Sequence, residues 1–397
     1  MWGRMPSRPK LQTSDLHEAF HPRLKLFLSL DIVGSTAYKQ PLDLSRIPVT
    51  EVIAWANTIQ SFFRTVEQSV SENWRSLEAM ADQVDFQVGS PPRLWKTAGD
   101  EVIYWKELED DCDIWLAVAI WTKVIESVRE DLSNSGTGLD VKPTLYVAGF
   151  PIRNRVVVTN LAEPGFLDRI KGFYDSRGAA GAVDFIGPGI DVGFRLSGLS
   201  SPKKMSISVD CAYLMAVSAP KICDFEAKLH AKFTGSEKTF FSHEVGKSMF
   251  RKSNQNGKLK VFDPSKSFFL YKFSIYFSGR KELKGVLGGT HYPHFWINAI
   301  PSDSLISAQD DFYRNYRNPV EWRKLEKFCE KFYADRARYI GAPFINRTES
   351  LTSKNLSSDY RKTHTEFVRL MTEEDDVRRT ADPQNWLSDG ADIPDAS

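Results

Sequence analysis

The spacing of apolar residues along this chain changes several times within the first 300 residues. An unbroken apolar run over 24–30 predicts a buried strand that ends at Asp31. Apolar residues at helical spacing predict amphipathic helices over 50–70 and 112–130. The other predicted strands are short and rich in apolar residues: 85–88, 94–97, 102–105, 141–150, 205–209, 267–277 and 294–299.

Hairpins interleaved with helices set the expected fold class. Gly99 and Asp100 separate two of the short strands and predict a hairpin turn. Such a pattern favours an α+β fold, a mixed sheet covered mainly on one side, over a doubly wound sheet. Four regions are expected along the chain: a flexible N-terminal arm over 1–21, a catalytic domain over 22–300, a helical extension over 301–346 and a polar, partly disordered tail over 347–397.

Composition narrows the class of protein. The 52 basic and 51 acidic residues give a formal charge of +1, which argues against a nucleic-acid-coating surface. The four cysteines form no C-x-x-C pair, so a reduced, cytoplasmic location without zinc or disulfides is expected. Neither an apolar signal-peptide core nor a run of about 18 apolar residues occurs, so no membrane association is expected.

Two aspartates at strand ends carry the candidate chemistry. Asp31 precedes a Gly-Ser-Thr stretch, and Asp100 follows a glycine in the predicted hairpin. Carboxylates are the oxygen ligands that Mg²⁺ and Mn²⁺ prefer, and the amides and hydroxyls of 33–36 can surround phosphate oxygens. Alone, each aspartate is more simply a turn residue. Together they form a candidate two-metal site that binds a triphosphate and acidifies a hydroxyl nucleophile.

Four segments, in order, resemble the motifs of the class III nucleotide cyclases. Leu-Asp-Ile-Val-Gly-Ser-Thr at 30–36 and Lys-Thr-Ala-Gly-Asp at 96–100 are similar to the two metal-binding motifs of that family. Residues 184–196 resemble its Asp-x-x-Gly-x-x-Val-Asn-x-x-x-Arg-Leu segment, and Leu-Lys-Gly at 283–285 its late Leu-Lys-Gly element. The resemblance covers about 22–300.

The resemblance implies a ferredoxin-like domain, a homodimer with shared active sites, and conversion of a nucleoside triphosphate to a 3′,5′-cyclic monophosphate and pyrophosphate. Two Mn²⁺ or Mg²⁺ ions are implied as cofactors. The implied residue roles are Asp31, Asp100 and the Ile32 carbonyl for the metals, Gly34, Ser35, Thr36 and Lys284 for the phosphates, Lys96 and Asp184 for the base, and Arg195 for charge on the transferring phosphate. Lys96 and Asp100 would serve opposite halves of the interface, so a lone protomer would lack a complete site.

One position departs from the family pattern. Asp191 stands where the family has a ribose-positioning Asn, and a carboxylate cannot donate the hydrogen bond of an amide. Asp191 could accept from a ribose hydroxyl, pair with Arg195 or face away. Ordinary structural roles also exist for the others: Lys96 beside Trp95, Asp184 as a helix cap, Arg195 in an ion pair and Lys284 in a surface turn.

The choice of base rests on family likeness. A lysine and an aspartate can pair with adenine, cytosine or uracil, whereas guanine would suit a carboxylate at position 96 better. The segment 184–195, the basic stretch 151–182 and the stretch after Leu283 resemble the stand-alone pyrimidine cyclases of bacterial antiphage (Pycsar) systems. This likeness favours UTP, then CTP, then ATP, and a cyclic product read by a separate effector. Bulk from Tyr38, Phe185 or Phe194 could fill the space that a smaller ring leaves.

Two alternatives remain open at this point. A catalytically degenerate cyclase fold that binds nucleotide and regulates a partner is kept open by Asp191, although both metal aspartates are present. A polymerase-like palm also pairs two aspartates on a ferredoxin-like sheet, but the neutral charge counts against it.

Overall fold

The computed structural model describes residues 22–39, 49–158, 183–233, 269, 272–299, 319–337, 339–343, 362 and 365–370. The strands are β1 (Arg23–Val33), β2 (Arg93–Ala98), β3 (Glu101–Leu108), β4 (Asp140–Phe150), β5 (Arg155–Val158), β6 (Val183–Ile186), β7 (Lys204–Ile207), β8 (Ile275–Lys281) and β9 (Tyr292–Asn298). The helices are α1 (Ser35–Lys39), α2 (Val49–Asp82), α3 (Asp113–Asn134), α4 (Pro188–Ser197), α5 (Val209–Phe233) and α6 (Trp322–Asp335).

A seven-stranded mixed sheet organises these elements, in the order β2-β3-β1-β4-β7-β9-β8. β1 runs antiparallel to β3 and to β4, whereas β4 and β7 are parallel. The first part of the chain therefore forms a βαββαβ unit with β1 and β3 at the centre, which is the ferredoxin-like arrangement. The α+β fold class is confirmed by this topology.

The two faces of the sheet have different coverings. Alternate residues of β1, such as Leu26 and Leu28, lie in the main core with α2, α3 and α5. The intervening residue Phe27 lies in a smaller aromatic cluster with Tyr146 and Phe185 on the opposite face. Burying each such side chain contributes about 2 kcal/mol. This second face is covered by α4 and the β5–β6 pair, and it also carries Asp31.

Some sequence-based predictions of the elements are wrong. Residues 85–88 form no strand, because α2 runs on to Asp82 and the chain then turns through Asp85 with a positive φ of 50°. β8 starts at Ile275 rather than at 267, since its pairing with β9 fixes its ends. β1 continues past Asp31 to Val33, and the sequence pattern predicts no strand at the position of β6. The predicted arm, most of the tail and most of 151–182 lie outside the described residues.

The described part of the C-terminal extension packs against the domain. α6 lies on α5, and the Tyr333 hydroxyl donates to the half-buried Asp210 at 2.8 Å. Burial raises the pKa of Asp210 to about 6, while the Tyr333 hydrogen bond opposes this shift. Arg153 Nη1 donates to the carbonyl of Tyr339 at 2.7 Å. Within the described ranges, no helix is long and apolar enough to cross a bilayer.

Candidate active site

Asp31 and Asp100 lie next to each other at the same end of two paired strands. Asp31 on β1 stands opposite Glu101 at the start of β3, directly after Asp100. The Ile32 amide donates to the Asp100 carbonyl at 3.4 Å, which joins the two strand ends. The fold thus brings together two carboxylates that are far apart in the sequence.

Two lysines neutralise these carboxylates. Lys142 Nζ lies 2.9 Å from Asp31 Oδ2, and Lys39 Nζ lies 3.5 Å from Asp100 Oδ1. The Asp31 and Asp100 side chains are 23% and 22% exposed, so they remain reachable from solvent. A cation entering this site would compete with the ammonium groups, and these groups could then turn to anionic oxygens of a ligand.

A third carboxylate belongs to the same row of side chains. Glu101, Asp31 and Lys142 stand opposite one another on β3, β1 and β4, so their side chains share one face. The Ser29 hydroxyl donates to Glu101. Burial raises the pKa of Glu101, and the nearby carboxylates of Asp31 and Asp100 raise it further, against the Ser29 hydrogen bond.

The turn after β1 brings backbone amides next to Asp100. Gly34 has φ +89°, a conformation that favours glycine, and it leads into the short helix α1. The first amides of a helix have no partner within it. Thr36 is exposed, whereas the buried Ser35 hydroxyl donates to Asp100. Ser35 therefore orients the carboxylate, and the amides of the turn together with Thr36 remain for an anion.

A second polar pair lies on β2 and β6. Lys96 Nζ is 2.8 Å from Asp184 Oδ1, and the side chains are 36% and 40% exposed. Lys96 also lies over the Trp95 ring, 4.1 Å from its centroid. The Lys96 side chain therefore makes both an ion pair with Asp184 and the structural contact with Trp95 that the sequence allows. Asp184 caps no helix, because it lies within β6 and Gly187 is the N-cap of α4.

α4 carries the two remaining candidates from the 184–196 motif. Arg195 is exposed and its Nε donates to the Lys284 carbonyl at 3.3 Å. The Asp191 side chain is also exposed, and within the described residues it forms no ion pair with Arg195. Gly193 seats the helix on the sheet, since a Cβ there would meet the Tyr146 ring at 2.4 Å. The backbone of Lys284, rather than its ammonium, makes the contact seen here.

The two polar pairs are separate within one protomer. No hydrogen bond or ion pair between described residues links the Asp31–Asp100 pair to the Lys96–Asp184 pair. The Trp95 ring, over which Lys96 lies, packs against the Phe27 ring with 5.3 Å between the ring centroids. Within the described residues, the two pairs therefore make no direct polar contact with each other.

A different acidic group has a structural explanation. Donor atoms of Asp110, Asp111 and Cys112 lie within 4.8 Å of one another. The Lys221 ammonium donates to both carboxylates, at 3.0 Å for Asp111. Burial and the adjacent acids raise the pKa of the Cys112 thiol, so it stays protonated and is a poor ligand. This group joins α3 to α5.

Sequence reasoning missed Lys142, Lys39 and Glu101. Lys142 lies in no recognisable motif, and only the β1–β4 register places it opposite Asp31. Lys39 is the last residue of α1, the short helix that follows the Gly34 turn, and Glu101 directly follows Asp100. Only Lys39 and Glu101 lie close to the two aspartate motifs in the sequence. That closeness does not reveal where their side chains point.

Comparison with solved structures returns nucleotide cyclases at low similarity. The adenylyl cyclase CyaB from P. aeruginosa matches with 11% identity and a TM-score of 0.36, over 72% of this chain and 98% of that one. The guanylyl cyclase Cya2 matches with 11% identity and a TM-score of 0.31, over 72% and 95%. The guanylate cyclase domain of RhGC from Catenaria anguillulae, in complex with GTP, matches with 12% identity and a TM-score of 0.31, over 69% and 96%.

No protein-family model and no curated protein matches the chain. At such low identities and TM-scores, the structural matches carry no argument about activity. The functional argument therefore rests on the residues themselves.

Proposed function

We propose that this protein is a nucleotidyl cyclase that converts UTP to 3′,5′-cyclic UMP and pyrophosphate. The observation that carries the proposal is the Asp31–Asp100 carboxylate pair beside the Gly34 turn, together with the Lys96–Asp184 pair, in which β6 contacts β2 of the main sheet. Carboxylates next to free amides suit a metal-bound triphosphate, and a lysine–aspartate pair suits the edge of a base.

The residues present fit two divalent cations, Mn²⁺ or Mg²⁺. Asp31 and Asp100 offer hard oxygen ligands, and the carbonyl of Ile32, which directly follows Asp31, would add a further oxygen ligand. When bound, such cations neutralise phosphate charge and lower the pKa of the attacking 3′-hydroxyl. Burial is the main cause of the raised pKa of the neighbouring Glu101, and the Asp31 and Asp100 carboxylates raise it further. A third acidic group beside the two aspartates supports the proposed cation site.

The chain's own residues would orient the triphosphate. The amides of the Gly34 turn and the Thr36 hydroxyl would donate to phosphate oxygens, and Lys142 and Lys39 would turn from the carboxylates to the same oxygens. Arg195 would stabilise charge that develops on the α-phosphate, and Lys284 would contact the phosphates. Asp191 would accept a hydrogen bond from a ribose hydroxyl, in place of the amide found in the family.

The proposed enzyme is a homodimer in which each polar pair supplies half of a shared active site. In the proposed arrangement, the Asp31–Asp100 half of one protomer faces the Lys96–Asp184 half of its partner. The exposed Phe194 ring, whose centroid lies 5.7 Å from Lys96 Nζ, provides apolar surface for such a contact.

The base and the biological role rest on sequence likeness to the Pycsar pyrimidine cyclases. We propose cyclic UMP as a second messenger in antiphage defence, read by a separate effector protein in the cytoplasm. CTP is the second candidate substrate and ATP the third. A degenerate, nucleotide-binding regulator is favoured only by Asp191, the residue that departs from the family pattern.

The proposal is tested by incubating the purified dimer with each of the four NTPs and Mn²⁺, followed by mass-spectrometric identification of the products. Cyclic UMP is the expected major product, and a chelator should abolish its formation. Cyclic AMP as sole product would overturn the pyrimidine assignment. Nucleotide binding by a proven dimer without any cyclic product would favour the regulator.

A further inference from the structure

Two buried hydrogen-bond donors lie without partners next to the Lys96–Asp184 pair. Among the described residues, neither Trp95 Nε1 nor the Tyr146 hydroxyl has a hydrogen-bond partner, and both atoms are shielded from solvent. Tyr146 as a whole is only 1% exposed. Buried donors are nearly always satisfied in native proteins, so two orphans in one cluster call for an explanation.

Both donors belong to the same aromatic cluster. The Phe27 ring lies 5.3 Å from Trp95 and stacks on Tyr146 at 5.0 Å. Trp95 directly precedes Lys96, whose ammonium lies over the indole. Burial raises the pKa of Tyr146, and the carboxylates of Glu101 and Asp184 raise it further, so its hydroxyl stays protonated as a donor.

The Phe194 ring covers this cluster from the solvent side. Its centroid lies 6.1 Å from Trp95 and 6.5 Å from Tyr146, and Lys96 Nζ lies 5.7 Å from it. Phe194 is 38% exposed, unlike the buried Phe185. A half-exposed side chain can change rotamer at small cost, and a planar base could take the place of its ring.

We propose that Trp95 Nε1–H and the Tyr146 O–H are base-recognition donors for the 2-carbonyl oxygen of a pyrimidine, and that Phe194 covers them until nucleotide binds. The inference rests on the proposed cyclase function and deepens it by naming a determinant of the substrate class. Lys96 and Asp184 would read the edge around N3 and C4, while the two neutral donors read C2.

The group carried at C2 distinguishes the pyrimidine bases from the purine bases. Uracil and cytosine both carry a carbonyl oxygen at C2, whereas adenine has a C–H there and guanine an amino group. Lys96 and Asp184 alone can satisfy adenine, cytosine and uracil. Two additional donors aimed at C2 would be satisfied by either pyrimidine and left unpaired by either purine, which disfavours purines.

The test uses Trp95→Phe and Tyr146→Phe, which keep the rings and remove only the donors. We measure kcat/KM and equilibrium binding for UTP, CTP and ATP with Mn²⁺ in the intact dimer. Each variant should lose about tenfold in both quantities for UTP and CTP, the size of one hydrogen bond, with values for ATP unchanged. Melting temperatures should not fall, because each change removes an unsatisfied buried group.

Trp121→Phe is the matched control. Its Nε1 is also buried without a partner among the described residues, but Trp121 packs with Tyr104 in the main core on the other face. This variant should leave the pyrimidine-to-purine ratio as in the wild type.

The outcomes separate the inference from the proposed function. A wild-type pyrimidine-to-purine ratio in both Trp95→Phe and Tyr146→Phe would overturn the inference and leave the cyclase proposal intact. A wild type that binds pyrimidine nucleotides but forms no cyclic product would refute the cyclase proposal, and the binding ratios would still decide on the donors. A wild-type preference for ATP in binding would overturn the inference.

Discussion

The two halves of the candidate site lie on one face of the sheet but are built in different ways. The Asp31–Asp100 half is polar, with two lysines and Glu101 around the carboxylates. The Lys96–Asp184 half rests on an aromatic cluster that holds two donors without a partner among the described residues. The first half suits an ion and phosphates, which need charge, and the second suits a flat, weakly polar base. A single ligand that needs both environments is a nucleotide.

The largest effects are expected in the carboxylate half. Asp31→Ala and Asp100→Ala should each lower kcat at least about 1000-fold, because each removes a metal ligand whose loss costs several kcal/mol of transition-state stabilisation. Mn²⁺ affinity, measured by calorimetry without nucleotide, should fall in parallel. Asp110→Asn changes an acid outside the site and serves as the control. Near-normal turnover in either alanine variant would remove the metal assignment.

Intermediate effects are expected from the lysine that the sequence did not reveal. Lys142→Ala should raise KM for the nucleotide by about tenfold, since it removes one charge-assisted hydrogen bond to phosphate. Mn²⁺ affinity should not fall, because the ammonium competes with the cation for Asp31. Lys142→Arg should recover part of the loss. An unchanged KM in Lys142→Ala would mean that Lys142 neutralises Asp31 but does not contact the phosphates.

The smallest effect concerns the seating of α4 over the aromatic half. Gly193→Ala should lower the free energy of unfolding by about 2 kcal/mol, because its Cβ would overlap the Tyr146 ring. Gly198→Ala, at the end of the same helix with 3.5 Å to its nearest neighbour, is the control and should be close to neutral. Thermal or denaturant unfolding measures both. Equal stability of the two variants would show that α4 does not depend on this close approach.

The polar residues of both halves could be predicted from the sequence, whereas the packing of the aromatic cluster around Lys96 and Asp184 could not. Asp31 and Asp100 stand in short motifs at strand ends, and the local turn chemistry of each is readable. The strand 85–88 was wrongly predicted because a short apolar run does not distinguish a strand from the irregular chain after a long helix. Lys142 became visible only through the β1–β4 register, and the role proposed for Tyr146 only through the burial of its hydroxyl in the aromatic cluster.

The relation between the two halves is the central claim, and mixing inactive variants tests it most directly. Asp31→Ala and Lys96→Ala protomers are unfolded, combined in equal amounts and refolded, and cyclic nucleotide formation is measured. Random pairing makes half of the dimers mixed, and each mixed dimer holds one intact site of two, so about a quarter of wild-type activity should return. Asp31→Ala mixed with Asp100→Ala should stay inactive, because both changes lie in the same half. Recovery in the first mixture alone would support sites shared between protomers, and no recovery from a mixture proven to contain mixed dimers would contradict the account.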